Sequence, residues 1–280
     1  MVDWHSLIGV PQCMDCLDLM RLLPDGCINA VIVDPPFGTG TAVWDKEPDP
    51  RAWTEMQRLC PCGPIAVMGY AKQLMRWSRY FDGLQLVGYI VWHKYNEQVV
   101  SPGLTRTHQD IAVWGMSQKQ VRASLVRESY SSMREDIAKW HNGLQGLYEK
   151  DKTEFGKRLR VHIRKSGGTI ENYRGSAARH PDGKRCTDLW RIPAPGAGFN
   201  SHLRKHKNQK PDELLDKLTR LLTDEGDLVL DCYAGSFSLA TAAQRLGRQW
   251  ICGDNCTEYV DRFKAELAQP QQVELSMSYG

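Results

Sequence analysis

Asp34-Pro35-Pro36-Phe37 sets a carboxylate, a rigid turn and an aromatic face directly after the apolar run Ala30-Val31-Ile32-Val33. A carboxylate accepts the N–H bonds of an amino group and a ring stacks on a flat partner, so the set suits holding a flat base by its amino group. A second set lies far downstream. Asp231 is followed by the small-residue turn Cys232-Tyr233-Ala234-Gly235-Ser236, and Asp254 comes 23 residues after Asp231. A glycine turn lets backbone approach a ligand. An acid ending the next strand can then accept hydrogen bonds from both hydroxyls of a ribose, the usual way of holding a nucleoside-bearing cofactor. Gly235 is the only glycine of the turn, so G-x-G-x-x-G is absent and NAD is not expected. Each set also has a plainer meaning, a Pro-rich turn with a surface Asp or a structural βαβ crossover.

The elements around these residues decide between the meanings. A short β-branched run bounded by turn residues reads as a buried strand, and two prolines must stop it, which presents Asp34 at its carboxyl edge. In open α/β sheets ligands bind at that edge. The pattern predicts further strands within 6–13 and over 64–68, 86–92, 110–114, 227–231 and 249–253. Helices are expected over 17–23, 50–59, 71–81 and 238–246, with a last one from about Thr257. Pro211 suits the first turn of another, whose stripe is Leu214, Leu215, Leu218, Leu221 and Leu222. Strands alternating with helices imply a doubly wound, mainly parallel α/β sheet. Regularity fails after Gly115; residues 117–200 read as an insertion, with helices conceivable around 128–140 and 144–158. The expected organisation is one domain half in 1–116, the insertion in 117–200, the other half in 201–270 and a frayed tail in 271–280.

The chain has 280 residues, 41% hydrophobic and 25% charged, ordinary for a soluble globular protein large enough to bury a full core. No run approaches the roughly 18 apolar residues of a membrane span. The opening Met-Val-Asp-Trp-His-Ser lacks secretory-signal regions, so a cytoplasmic location with reduced thiols is expected for the nine cysteines. Cys13-x-x-Cys16 has metal-ligand spacing, but neither Cys60-x-Cys62 nor Cys252-x-x-x-Cys256 supplies a fitting second pair, so no metal is expected. The net charge of +3 hides an asymmetry: residues 117–210 carry 21 Lys+Arg against 9 Asp+Glu, a surplus of +12, and the remainder carries −9. A basic segment on an otherwise acidic chain is the electrostatic footprint of a polyanion-binding face; a solvated insertion would have the same composition.

Taken together, the motifs resemble those of the β-group S-adenosylmethionine-dependent DNA amino-methyltransferases. Asp34-Pro35-Pro36-Phe37 matches that family's D-P-P-[YF] motif, and Asp231-Cys232-Tyr233-Ala234-Gly235-Ser236-Phe237 resembles its D-P-F-A-G-S-G loop. His206-Lys207-Asn208-Gln209-Lys210-Pro211 resembles H-P-T-Q-K-P, one helix before that loop. Cys13-Met14-Asp15-Cys16-Leu17 resembles G-D-C-L, Arg106-Thr107-His108-Gln109 the segment before the last strand, and Trp190-Arg191-Ile192-Pro193 the return into the catalytic domain. The likeness covers both ends of the chain and not residues 117–200. Methyltransferases of glutamine side chains or of ribosomal guanines also carry x-P-P-[YF], but with the cofactor loop first. Here the tetrapeptide precedes Asp231 by 197 residues, as in the circularly permuted DNA enzymes. Pro61-Cys62 offers the dipeptide of the cytosine-C5 class without its surrounding motifs.

The resemblance implies S-adenosylmethionine as cofactor and duplex DNA as partner. It assigns Asp34, Pro35, Pro36 and Phe37 to catalysis. Asp254 would hold the ribose and Asp15 the adenine end, with Cys16 a further cofactor contact. Asp231, Gly235 and the Asn208-Gln209-Lys210 backbone would hold the methionine end, and Tyr233 and Asp34 would also contact the cofactor; Lys210 has a phosphate contact as an alternative role. In the insertion Arg158, Arg160, Arg164, Lys165, Arg174 and Arg179 are candidate DNA contacts. His108 reads as a structural histidine, the tryptophans mostly as core, and Trp44 as the one to suspect of touching substrate. Cys232 replaces the family's Pro, and Phe237 its second Gly. Phe237 should either crowd the loop or cover the methionine end of the cofactor. Asp at the first motif position favours adenine N6 over cytosine N4, where Ser is commoner. The readings are therefore an adenine-N6 enzyme of the restriction-modification kind, with a nuclease partner left open, a cytosine-N4 enzyme, or, because of Phe237, an inactive nucleic-acid-binding module. Monomer and homodimer stay open.

Overall fold

The computed structural model describes residues 3–40, 45–94, 105–122, 126–128, 184–195 and 209–269. The chain divides into two compact units, residues 1–122 with 187–280, and residues 123–186. The described part of the second unit is an antiparallel pair, β6 (Arg127–Glu128) with β7 (Lys184–Arg185). Glu128 is thus in a strand, and the rest of the expected helices at 128–140 and 144–158 lies outside the described residues.

The first unit is built on an eight-stranded sheet. Its strands are β1 (Gln12–Cys13), β2 (Ala30–Val33), β3 (Ile65–Gly69), β4 (Gln85–His93), β5 (His108–Gly115), β8 (Leu189–Arg191), β9 (Leu228–Asp231) and β10 (Gln249–Asp254), in the order β1-β10-β9-β2-β3-β5-β4-β8. Five neighbouring pairs are parallel; β5 runs antiparallel to both β3 and β4. The sheet is therefore mixed and mostly parallel, with β8, the strand around Trp190, closing one edge. The apolar stretch within 6–13 departs from expectation. Asp3 accepts the His5 N–H and starts a 3-10 turn over Trp4–Leu7, leaving only Gln12–Cys13 to pair with β10.

Helices pack on the sheet by the stripes their sequences carry. α2 (Pro50–Leu59) buries Ala52, Trp53, Met56 and Leu59, and Asp49 caps it by accepting the Arg51 N–H. α4 (Asp212–Leu222) buries the five leucines together with Thr219. Each buried leucine or methionine among them contributes about 1.5–3 kcal/mol. Pro211 is the N-cap of α4 rather than its first helical residue, at ψ 142°. α1 (Cys16–Arg21), α3 (Ala71–Trp77), α5 (Ser238–Arg245) and α6 (Thr257–Ala268) complete the set. Aromatic rings fill the space between α2, α3 and the sheet, with Phe81 stacked on Trp114 at 4.2 Å and Trp53 against Trp77 at 5.2 Å.

The sheet order fixes where a site can form. The chain leaves β2 through α2 toward β3, and leaves β9 through α5 toward β10 on the other side. β2 and β9 are parallel neighbours, with Val31 opposite Leu230, so their carboxyl ends open side by side where the winding reverses. A crevice arises there because no crossover covers it. Asp34 and Asp231 stand at its two lips.

Candidate active site

The crevice is a cavity of ≈ 250 Å³. Asp34, Pro35, Pro36 and Phe37 line one side of it, and Asp15, Cys16, Lys210, Asp231, Tyr233, Gly235 and Asp254 also line it. Gln209 is described and does not line it; Asn208, Trp44, Arg158, Arg160, Arg164, Lys165, Arg174 and Arg179 lie outside the described residues.

Both oxygens of Asp34 are engaged. Gln109, on β5 and 2% exposed, donates its Nε2–H to Oδ1 at 3.0 Å, and the Lys210 ammonium pairs with Oδ2. β5 reaches the crevice because it is antiparallel: its first residues stand beside the end of β3, with Asp110 opposite Gly69. After the prolines the chain is held from an unexpected quarter. The buried Asp45 carboxylate accepts the backbone N–H groups of Phe37, Gly38 and Thr39 at 2.9, 3.0 and 2.9 Å. The half-buried Phe37 ring meets Tyr70 edge-on at 5.3 Å and Trp77 at 6.5 Å, and the Arg106 guanidinium lies over Tyr70 at 4.5 Å.

The other lip is built from backbone donors and acids. Asp254 ends β10; its Oδ2 accepts the Gly235 N–H at 2.8 Å and its Oδ1 the Cys256 N–H at 2.9 Å. A carboxylate has about four acceptor positions, so each oxygen keeps one for a ligand hydroxyl. Gly235 sits at φ +49°, which a residue without Cβ adopts freely. Asp231 accepts the Tyr233 N–H at 3.0 Å. Burial pushes its carboxyl up to about 8; the nearby charges of Asp34 and Asp254 add to this, while the Tyr233 N–H and Lys210 oppose it. Asp15 caps α1 by accepting the Leu17 N–H at 2.8 Å.

Phe237 does neither of the two things expected of it. Its backbone is left-handed, φ +57°, at the N-cap of α5, and its side chain is fully buried, stacked on Phe263 of α6 at 4.8 Å. Transfer of the ring into the core offsets the roughly 1–2 kcal/mol that a left-handed non-glycine residue costs. The ring is not among the residues lining the cavity.

Two thiols of the crevice are held in the neutral form. Burial raises the thiols of Cys16 and Cys232, so both stay protonated near neutrality. Cys13 and Cys16 turn to different partners, Thr257 Oγ1 at 3.5 Å and the Tyr233 hydroxyl at 3.4 Å. Cys62 is exposed and does not line the cavity. His108 stands 3.9 Å from the buried Asp110 and also does not line it. Asp45 and Gln109 are the residues that motif reading assigned no role. Gln109 and Asp110 did carry a signal, two polar residues opening the apolar strand Ile111–Trp114. Asp45 carried none.

Fold and crevice define a class I methyltransferase-type α/β protein with an acid at each lip. A family model for DNA methylases, N6_N4_Mtase, matches residues 65–265. The chain belongs to this family of S-adenosylmethionine-dependent DNA amino-methyltransferases, which act on adenine N6 or cytosine N4. It is 22% identical to the Type II methyltransferase M1.MboII of Moraxella bovis, over 91% of this chain and 95% of that one. It is 24% identical to M.BamHI of Bacillus amyloliquefaciens, over 89% of this chain and 56% of that one. Among solved structures it shares its fold with TTHA0409, a DNA modification methylase from Thermus thermophilus complexed with S-adenosyl-L-methionine (TM-score 0.53, 17% identity, 93% and 95% covered). It likewise resembles the cytosine-N4-specific PvuII DNA methyltransferase (TM-score 0.56, 16% identity, 94% and 87% covered). No helix among the described residues is long and apolar enough to cross a membrane.

Proposed function

We propose that the chain methylates the N6 amino group of adenine in a short duplex DNA sequence. The observation that carries this reading is the Asp34 carboxylate at one lip of the cavity whose other lip holds Asp231 and Asp254. The residues present fit the cofactor. Asp254 has acceptor positions left for two ribose hydroxyls, and Gly235 leaves room for backbone approach. Asp231 offers a carboxyl oxygen to the ammonium of the methionine end and Lys210 a positive charge to its carboxylate, and Asp15 with Cys16 borders the adenine end. When bound, S-adenosylmethionine supplies an electrophilic methyl group on a sulfonium sulfur.

The chain's own residues activate the acceptor. An exocyclic amino nitrogen is a poor nucleophile because its lone pair is delocalised into the ring. Asp34 and the Pro35 carbonyl accept its two N–H bonds, which draws the nitrogen toward tetrahedral geometry and frees the lone pair. Gln109 holds Asp34 Oδ1 in place while this happens. The prolines keep the Pro35 carbonyl oriented. Positioning and electrostatics govern such a step, and no covalent enzyme intermediate is needed. The base must leave the duplex stack, at about a few kcal/mol, and Phe37 offers a ring to receive it. Asp at the first motif position supports adenine. Within residues 117–200, part of the stretch of surplus +12, the separate unit 123–186 is the proposed target-recognition region, with Arg158, Arg160, Arg164, Lys165, Arg174 and Arg179 as its phosphate and base contacts. Relatives named Type II methyltransferases support a role beside a restriction nuclease. Methylating unmodified phage DNA, digesting it and analysing the nucleosides by mass spectrometry tests the reading. N6-methyladenine is expected; N4-methylcytosine would overturn the choice of base.

A further inference from the structure

The loop after the prolines is held by a group that no motif includes. The N–H groups of Phe37, Gly38 and Thr39 converge on one carboxylate, two on Asp45 Oδ1 and one on Oδ2, and the Thr39 hydroxyl adds a bond to Oδ2 at 2.5 Å. Successive amides pointing inward around a left-handed residue form a backbone nest that binds anions. Gly38 supplies that residue at φ +66°, and a Cβ there would stand 3.2 Å from the Glu47 nitrogen. Asp45 is 7% exposed, so its charge is compensated by these donors. The neighbouring supports are independent: Gln73 Nε2 donates to the Phe37 carbonyl at 3.4 Å, and Glu47 accepts from Trp77 Nε1 at 3.2 Å and pairs with Arg76 at 2.7 Å.

We propose that Asp45 is a positioning residue for the target base: its carboxylate fills the three-amide nest and thereby fixes the Phe37 ring, and the Pro35 carbonyl before it, at the cavity. The proposal rests on the methyltransferase reading for its functional consequence, because Phe37 and Pro35 matter only if a base is held there. Without the carboxylate, three amides lose their acceptor together, and the loop must move to find water. Misplacement by about 1 Å is enough to cost a reaction about 100-fold. The cofactor lip keeps its own bonds, Tyr233 N–H to Asp231 and the Gly235 and Cys256 N–H groups to Asp254.

The test uses the full chain and the Asp45→Ala variant. Methyl transfer from labelled S-adenosylmethionine to unmodified phage DNA should fall about 30- to 100-fold, while calorimetry gives a cofactor dissociation constant within about 3-fold of wild type. Sodium formate, a free carboxylate able to enter the vacated nest, should restore transfer about 5-fold or more relative to sodium chloride at equal ionic strength. It should also raise the melting temperature of the variant saturably and leave that of wild type unmoved. Full activity of Asp45→Ala, or a folded, cofactor-binding variant on which formate acts no differently from chloride, overturns the proposal. Should Asp45→Ala not fold, Thr39→Val removes the hydroxyl bond to Asp45 and leaves the three amides and the carboxylate in place. A loss of about 3-fold or more in transfer then supports the proposal and an unchanged rate refutes it. If wild type transfers no methyl group to DNA, the methyltransferase reading fails, and the formate effect on melting alone decides the nest.

Discussion

The two lips of the crevice solve the same problem with opposite chemistry. At the end of β2 the chain is stiffened by two prolines and by a side-chain carboxylate, Asp45, that binds the next three amides, and the aromatic residue of the loop stays half-buried at the cavity. At the end of β9 it is loosened by small residues and turned by two left-handed positions, Gly235 and Phe237, and Phe237, unlike Tyr233, is driven out of the cavity into the core. One lip presents a ring and keeps its amides occupied. The other buries its Phe237 ring, keeps the Tyr233 ring at the cavity, and ties its amides to the two acids that face the ligand. The difference suits a flat base on the first side and a flexible, charged nucleoside cofactor on the second.

Exchanging the roles of the two phenylalanines is the strongest way to break the comparison. Phe237→Ala should destabilise the protein by about 3–5 kcal/mol, because it empties a fully buried site between α5 and α6. Phe37→Ala should cost less than half of that in thermal or urea unfolding, yet should depress methyl transfer. Equal stability effects would erase the distinction between the lips. Asp254→Ala tests the second lip alone. It removes the acceptor of two backbone N–H groups and should weaken cofactor binding by about 2–3 kcal/mol in calorimetry, while transfer at saturating cofactor changes far less.

Asp231 sharpens the comparison through pH. Its carboxyl is raised to about 8 in the folded chain from an ordinary 3.8, so between those values the folded state binds a proton that the unfolded state has released. Its contribution to stability is therefore complete below about pH 4 and lost as pH rises through about 8. Melting temperatures measured from pH 5 to 9 should fall more steeply for wild type than for Asp231→Asn, and parallel curves would contradict the assignment. The smallest effect is expected at Gln109. Gln109→Leu removes one bond to Asp34 and should lower the rate of transfer about 10-fold with cofactor affinity unchanged.

How much of this was legible in the sequence follows from the range of each interaction. Ala30–Val33 and Pro50–Leu59 were readable to the residue, because apolar period and flanking turn residues agree. The strand expected within 6–13 was not, since Asp3 captures the chain into a turn before it can pair. The antiparallel placement of β5 was also hidden, because strand direction depends on partners far along the chain. In the site Asp34, Asp231 and Asp254 could be read because each stands at the end of a strand. Asp45 and Gln109 could not be assigned, because what they do is defined by partners 8 and 75 residues away. Phe237 was misread for a related reason: the departure from the family loop is visible in sequence, but the direction of its ring is decided by Phe263.

Methyl transfer to unmodified duplex DNA by wild type and by Asp34→Ala, with cofactor binding followed in parallel, tests the central claim most directly. Transfer by wild type, a loss of about 1,000-fold or more in the variant and a cofactor affinity held within a few-fold are the predicted result. An Asp34→Ala protein that still methylates DNA at a rate near that of wild type would contradict the account.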